Sequence, residues 1–215
     1  MVKPLKDLKL IKRQIRKFQI PSVTVVSDWK DPYLVLISCI LSLRTKDKTT
    51  MEASRRLFVL ANTPQKMVKL PVALLSKTIY PVGFYRNKAK VISGISRRLI
   101  RYFQGRVPAR LEDLLSFKGV GRKTANLVLG LGYKIPAICV DTHVHRIPNR
   151  LGWMKTKGPL HTEMALGRII PKNYWIEMNT ILVTFGQNIC LPVSPWCSKC
   201  AAENLCPKIG VNRFR

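Results

Sequence analysis

Acidic side chains are scarce in this chain: 11 Asp and Glu stand against 38 Lys and Arg in 215 residues, a formal charge of +27. A compact domain so one-sided repels itself, and the composition therefore points to a polyanionic partner. The pI near 10.4 suits nucleic-acid binding, without separating DNA from RNA or an anionic membrane. Long apolar runs are missing too. The stretch from Leu34 to Leu43 is about half of the roughly 20 residues a spanning helix needs, which excludes a transmembrane segment. No signal-peptide pattern points to an oxidising compartment, so a disulfide framework is disfavoured for the four cysteines bunched near the C-terminus. Apolar residues, in contrast, are present in ordinary amount, 47%, and that excludes disorder as the main state.

Runs of alternating apolar and polar residues are absent as well, and the pattern predicts an all-α chain. Apolar residues recur at helical spacing over Tyr33–Leu43, Met51–Leu60, Val72–Ile79, Val91–Phe103, Ala125–Leu131 and Trp175–Phe185. Pro and Gly punctuate the gaps, as at Thr63-Pro64, Pro81-Val82-Gly83 and Gly105. Leu5, Leu8, Ile11, Ile15 and Phe18 add a basic amphipathic first helix; a transit peptide is the alternative, disfavoured by the lack of Ser there. The segment Ile135–Val140 is at most one extended stretch. Length admits one domain or two small lobes. The expected division is a helical lobe over 25–135 and a second lobe from 1–24 with 136–215.

Three clusters of residues carry chemistry. In Leu114-Leu115-Ser116-Phe117-Lys118-Gly119-Val120-Gly121-Arg122-Lys123, two glycines flank one apolar residue between an apolar turn and a helix. Glycine permits a tight turn and a close backbone approach, and the N–H groups opening the next helix favour an anion. With Lys118, Arg122 and Lys123 around it, this helix-hairpin-helix pattern suits a DNA phosphate held without reading sequence; an ordinary helix–helix turn is the alternative. In Val140-Asp141-Thr142-His143-Val144-His145-Arg146, Asp141 makes a good N-cap and is also one of few acids on a basic chain. Near a helix N-terminus its carboxylate can stabilise a developing cation. His143 and His145, two apart, face different directions and do not suggest a metal pair. Finally, Cys190, Cys197, Cys200 and Cys206 fall in one short window. Structural zinc usually draws on two Cys-x2–4-Cys knuckles, and only Cys197 and Cys200 form one. An iron–sulfur cluster accepts uneven spacing and is the favoured reading. Cys39 and Cys139 read as small core residues.

Together these segments, with Ile40-Leu41-Ser42-Leu43-Arg44-Thr45-Lys46-Asp47 and Val82-Gly83-Phe84-Tyr85-Arg86-Asn87-Lys88-Ala89, resemble the endonuclease III family of helix-hairpin-helix DNA glycosylases over nearly the whole chain. The Val140–Ile147 run and Cys190-Leu191-Pro192-Val193 look closer to archaeal and eukaryotic members, while short termini suit a prokaryotic one. The resemblance implies a two-lobed all-α helix-hairpin-helix fold with a cluster loop over 190–206. A [4Fe-4S] cofactor would sit on Cys190, Cys197, Cys200 and Cys206. Lys123 would be the nucleophile, with Asp141 assisting. Arg44, Phe84, Lys118, Gly119, Val120, Gly121, Arg122 and His143 would meet DNA, Phe84 as a wedge or else as a core aromatic. The implied function is base-excision repair by a bifunctional glycosylase and abasic-site lyase. It would remove oxidised or ring-saturated pyrimidines from double-stranded DNA, or act on abasic sites, and cut 3′ by β-elimination. A monomer in the cytoplasm, at the nucleoid, is expected, with no membrane partner.

Departures from the family pattern qualify this. Many relatives have Gln where this chain has Arg44, which leaves the opposing-base preference open. Leu191–Trp196 contains no Lys or Arg, so DNA contact near the cluster would pass to Lys199, Lys208 or Arg213. The alternatives are a monofunctional mismatch glycosylase for thymine or uracil and a non-catalytic DNA-binding protein. Mismatch enzymes commonly lack the hairpin Lys that Lys123 supplies. Adenine-removing ones carry a Glu where this chain has Cys39.

Overall fold

The computed structural model describes residues 3–215, and among them it contains no strand. Two compact units emerge, Ser22–Ile135 and a second made of residues 3–21 and 136–215. The continuous unit holds α2 (Ser22–Ser27), α3 (Pro32–Ser42), α4 (Asp47–Leu60), α5 (Pro64–Lys69), α6 (Val72–Ile79), α7 (Tyr85–Phe103), α8 (Leu111–Leu115) and α9 (Arg122–Leu127). The other holds α1 (Pro4–Ile15), α10 (Thr142–Arg150), α11 (Pro159–Ile169) and α12 (Trp175–Asn188), followed by irregular chain with short 3-10 turns.

In the continuous unit α3 is the axis. It is apolar all round, which marks a core helix rather than a surface one. From Tyr33 to Leu41 every residue is buried, beneath α2, α4, α7 and α9. Its start is well defined: the Asp31 carboxylate accepts the Tyr33 N–H at 2.7 Å, and Pro32 occupies the first turn. Helix α7 begins six residues before the apolar periodicity that predicts it, because Phe84 adopts a left-handed φ of +58° and the helix starts directly after it. Its buried positions Lys88, Ala89, Ile92, Ile95 and Leu99 follow the spacing of one helical face. Only the first of them is charged. The predicted helix over Ala125–Leu131 instead passes into a π turn at Val128–Gly132. A Cβ at Gly132 would lie 3.2 Å from Pro32, so this segment packs close to the start of α3.

In the discontinuous unit, Leu8, Ile11 and Ile15 of α1 join Val144, Ile147, Met178, Leu182 and Phe185 in one core. The segment 136–140 is irregular chain, not a strand. A polar pair is buried here: the Trp153 indole donates to the Asp7 carboxylate at 2.8 Å. Among the described residues no helix is long and apolar enough to cross a membrane.

Removing that carboxylate leaves a buried indole N–H unsatisfied. Asp7→Ala should therefore destabilise the protein by about 1–3 kcal/mol in denaturant unfolding, and Asp7→Asn by less.

Candidate active site and nucleic-acid interface

Lys123 stands in the first turn of α9, just past the tight turn that joins α8 to α9. Leu114, Phe117 and Val120 are buried beneath the turn, while Lys118, Gly119, Gly121, Arg122 and Lys123 are exposed. The apolar side chains anchor the hairpin and leave its glycines and cations outward. Gly119 has a φ of +85°, and a Cβ there would come within 2.9 Å of the Val91 side chain on α7. Any side chain there would be strained by conformation and would press on Val91.

Lys123 lines a cavity of about 480 Å³ with residues from the end of α3 and the start of α7, among them Ser42, Arg44, Phe84, Asn87 and Lys88. That volume is in the range of small-ligand sites and is enough for one nucleoside. Three of its walls are cationic and none is acidic. Cys39 lies buried near Lys123. Burial raises its thiol to about 12, although the Lys123 charge pulls the other way. This position therefore supplies no base.

The rim of the cavity is built from two loops. Arg44, exposed at φ +52°, follows α3; Phe84, 64% exposed at φ +58°, precedes α7. Both are non-glycine residues in the left-handed region, a conformation that persists only where the surroundings impose it. The surroundings are visible. Lys88, 6% exposed, donates from Nζ to the Leu41 carbonyl (2.8 Å), the Leu43 carbonyl and the Thr45 hydroxyl (3.1 Å). The same hydroxyl accepts the Gly83 N–H at 3.1 Å and donates to Leu43 O at 3.2 Å. A Cβ at Gly83 would fall 2.6 Å from the Arg44 carbonyl oxygen, so only glycine lets the loops come this close. The Arg44 guanidinium then lies 5.7 Å from the centre of the Phe84 ring. Phe84 is thus on the surface and not in the core.

Sequence reasoning singled out neither Lys88 nor Thr45. The available signal was a lysine at an apolar-face position of α7, one turn after Phe84.

In the other unit Asp141 is the extended N-cap of α10, and its Oδ1 accepts the N–H groups of His143 (2.9 Å) and Val144 (2.8 Å). The two histidines have separate surroundings. His143 Nδ1 meets the Arg146 guanidinium at 3.1 Å, and His145 Nδ1 meets the Thr162 hydroxyl at 2.7 Å. Arg146 also donates to Cys190 O at 2.8 Å, and Arg150 to Leu191 O and Pro192 O at 2.6 and 2.7 Å. These bonds tie α10 to the chain that follows α12. Burial lowers the Arg146 pKa, with the Cys190 thiol opposing that shift.

Cys190, Cys197, Cys200 and Cys206 all line one cavity in this unit. Among the described residues no three side chains form a ready metal-binding group, yet the donor set suits anionic sulfur. Arg150 reaches Cys190 Sγ, and the Ala202 and Lys208 N–H groups reach Cys200 and Cys206 Sγ, each at 3.4 Å. Burial raises the Cys197, Cys200 and Cys206 thiols, Cys200 to about 11, and a neighbouring thiolate raises them further. Four cysteines share a cavity comfortably as thiolates only when a cation neutralises them. The neighbouring loop, itself without cations, is flanked by them: Lys199 and Arg215 lie 4.6 and 3.9 Å from the Trp196 ring. Lys208 is occupied by Glu203 at 3.3 Å.

An apolar-anchored glycine hairpin with a lysine opening into a cavity defines a class of protein: the family described as HhH-GPD superfamily base excision DNA repair protein matches residues 37–172. Endonuclease III of Thermotoga maritima is 50% identical over 176 residues, 82% of this chain and 83% of that one. Endonuclease III-like protein 1 of Gallus gallus is 42% identical, over 81% of this chain and 63% of that one. The solved structure of a trapped endonuclease III–DNA covalent intermediate, an estranged-adenine complex, superposes with a TM-score of 0.78 at 36% identity, covering 83% of this chain and 84% of that one. The chain belongs to the endonuclease III family, and it is a bifunctional base-excision repair enzyme, a DNA glycosylase with AP-lyase activity.

Burial brings the Lys88 pKa from 10.5 down to about 8. Between those values the unfolded chain holds a proton that the folded chain has lost, so this group makes stability rise with pH. Below about 8 the full cost of the buried charge remains. NMR of labelled lysines should show a Cε signal titrating near 8 that disappears in Lys88→Met. A Lys88 signal that titrates only above 10 would contradict this.

Proposed function

We propose that the enzyme removes oxidised or ring-saturated pyrimidines from duplex DNA and cuts the strand 3′ to the abasic site. The observation that carries this reading is Lys123, exposed on the hairpin and opening into a nucleoside-sized cavity whose walls hold no acid. An amine so placed is a nucleophile with space for a sugar in front of it.

The chemistry follows from that amine. In its neutral form Nζ bonds C1′ while the C1′–N bond to the damaged base breaks, and the base departs with a proton shed by the amine, leaving an aminal at C1′. The C1′–O4′ bond then opens, O4′ takes up a proton, and the protonated Schiff base that results makes the C2′ hydrogen acidic. Loss of that proton expels the C3′ oxygen with its phosphate, which is β-elimination. Asp141 is assigned the assisting role, taking up a proton and stabilising positive charge on the sugar. A damaged nucleotide must first leave the stack, at a cost that is least for a weakly stacked lesion. Phe84, exposed at the cavity rim, is suited to fill the gap it leaves, and Arg44 beside it can bond a facing base. Lys118, Gly119, Val120, Gly121 and Arg122 would hold a backbone phosphate on the hairpin, and His143 is a further DNA contact in this reading.

A [4Fe-4S] cluster on Cys190, Cys197, Cys200 and Cys206 would supply four iron–thiolate bonds that cross-link the loop over 190–206, a structural or redox-responsive role. A monomer working on DNA in the cytoplasm, at a prokaryotic nucleoid, completes the reading.

Borohydride should trap a covalent complex with oligonucleotides carrying ring-saturated or oxidised pyrimidines. Lys123→Gln should abolish the trap and strand cutting while leaving duplex binding in place. Strand cutting retained by that variant would overturn the role given to Lys123. The purified protein should be brown with broad visible absorption, whereas a colourless zinc-loaded product would overturn the cluster assignment.

A further inference from the structure

Arg44 and Phe84 sit on loops distant in sequence, yet one hydrogen-bonded unit holds both. Three donors of the buried Lys88 ammonium are spent on Leu41, Leu43 and Thr45, and Thr45 passes the tie on to the Gly83 N–H. Gly83 is the residue before Phe84 and lies against the carbonyl of Arg44. Each loop tip has a left-handed backbone, and the two side chains already touch, cation against ring.

We propose that Lys88 is a positioning residue for nucleotide extrusion. Through Thr45 and Gly83 it presents Arg44 and Phe84 as one preassembled, two-part plug that enters the duplex together. The proposal rests on the reading of Arg44 and Phe84 as the groups that fill the vacated stack. Its physical basis is entropy. Two free loops would each have to be ordered when DNA arrives, and that cost falls on the insertion step. With the loops stapled beforehand, ordering is complete in the free enzyme. The ammonium needs all three protons for this, since a neutral amine would turn a lone pair toward one of its three oxygens. The other charged groups lining the cavity, Arg44 and Lys123, are cations and make no bridge to it.

The test uses the full chain and a duplex in which 2-aminopurine neighbours a ring-saturated pyrimidine. Stopped-flow fluorescence then reports unstacking, and β-elimination on a single-stranded abasic oligonucleotide reports chemistry that needs no extrusion. Lys88→Met and Thr45→Val should each slow the fluorescence rise about tenfold, the factor that ordering one or two more side chains implies. In Thr45→Val, whose side chain does not line the cavity, strand cutting of the single-stranded substrate should be unchanged. The double variant should be no slower than Lys88→Met, because both residues serve one tie. Should Lys88→Met fail to fold, Thr45→Val carries the test alone. Normal unstacking rates in the folded variants would overturn the proposal, as would equal losses on both substrates accompanied by a lower melting temperature. Failure of the underlying reading looks different: Arg44→Ala with Phe84→Ala would then leave the fluorescence rise untouched.

Discussion

A single buried ammonium holds the rim of the Lys123 cavity in shape. The last carbonyls of a helix have no partner within it, and the negative end of the helix dipole gathers there. Lys88 satisfies two such carbonyls at the end of α3, Leu41 and Leu43, which is why a cation can be buried in a wall that also holds Arg44 and Lys123. The left-handed residues at the loop tips, the close approach of Gly83 and the pairing of Arg44 with Phe84 all depend on this contact.

Beneath the rim the support is apolar. Helix α3, buried along nearly its whole length, carries no charge to solvate and has no face turned to water. It gives the cavity a stiff floor against which α7 and α9 pack. The same burial keeps Cys39 a thiol. Charge and apolar packing thus divide the work: an uncharged helix forms the floor, and cations gather at the rim that a polyanion meets.

The second unit follows the same division with different parts. Asp141 is held by the N–H groups that open α10, while Arg146 and Arg150 on the same helix grip the carbonyls around Cys190. A helix so fixed at both ends has little freedom to drift. The sulfur-directed N–H groups are placed for anionic ligands, which matches the chemistry of a thiolate-held cluster.

By itself the sequence determined what local periodicity and local chemistry can carry. Helices come from 3.6-residue spacing, the hairpin from two glycines around an apolar residue, the N-cap role of Asp141 from its place before α10, and the basic surface from composition. The cysteine spacing restricted the metal chemistry in the same way. Tertiary structure decided what depends on residues far apart in the chain. Lys88 is one of 38 basic residues, and nothing local shows that its nitrogen reaches the end of α3. Phe84 could equally have been core or surface until α7 was seen to start directly after it. The reason is physical: a helix face or a turn is set by neighbours three or four residues away, but a buried charge is tolerated only where the fold brings acceptors to it, and that is a property of packing.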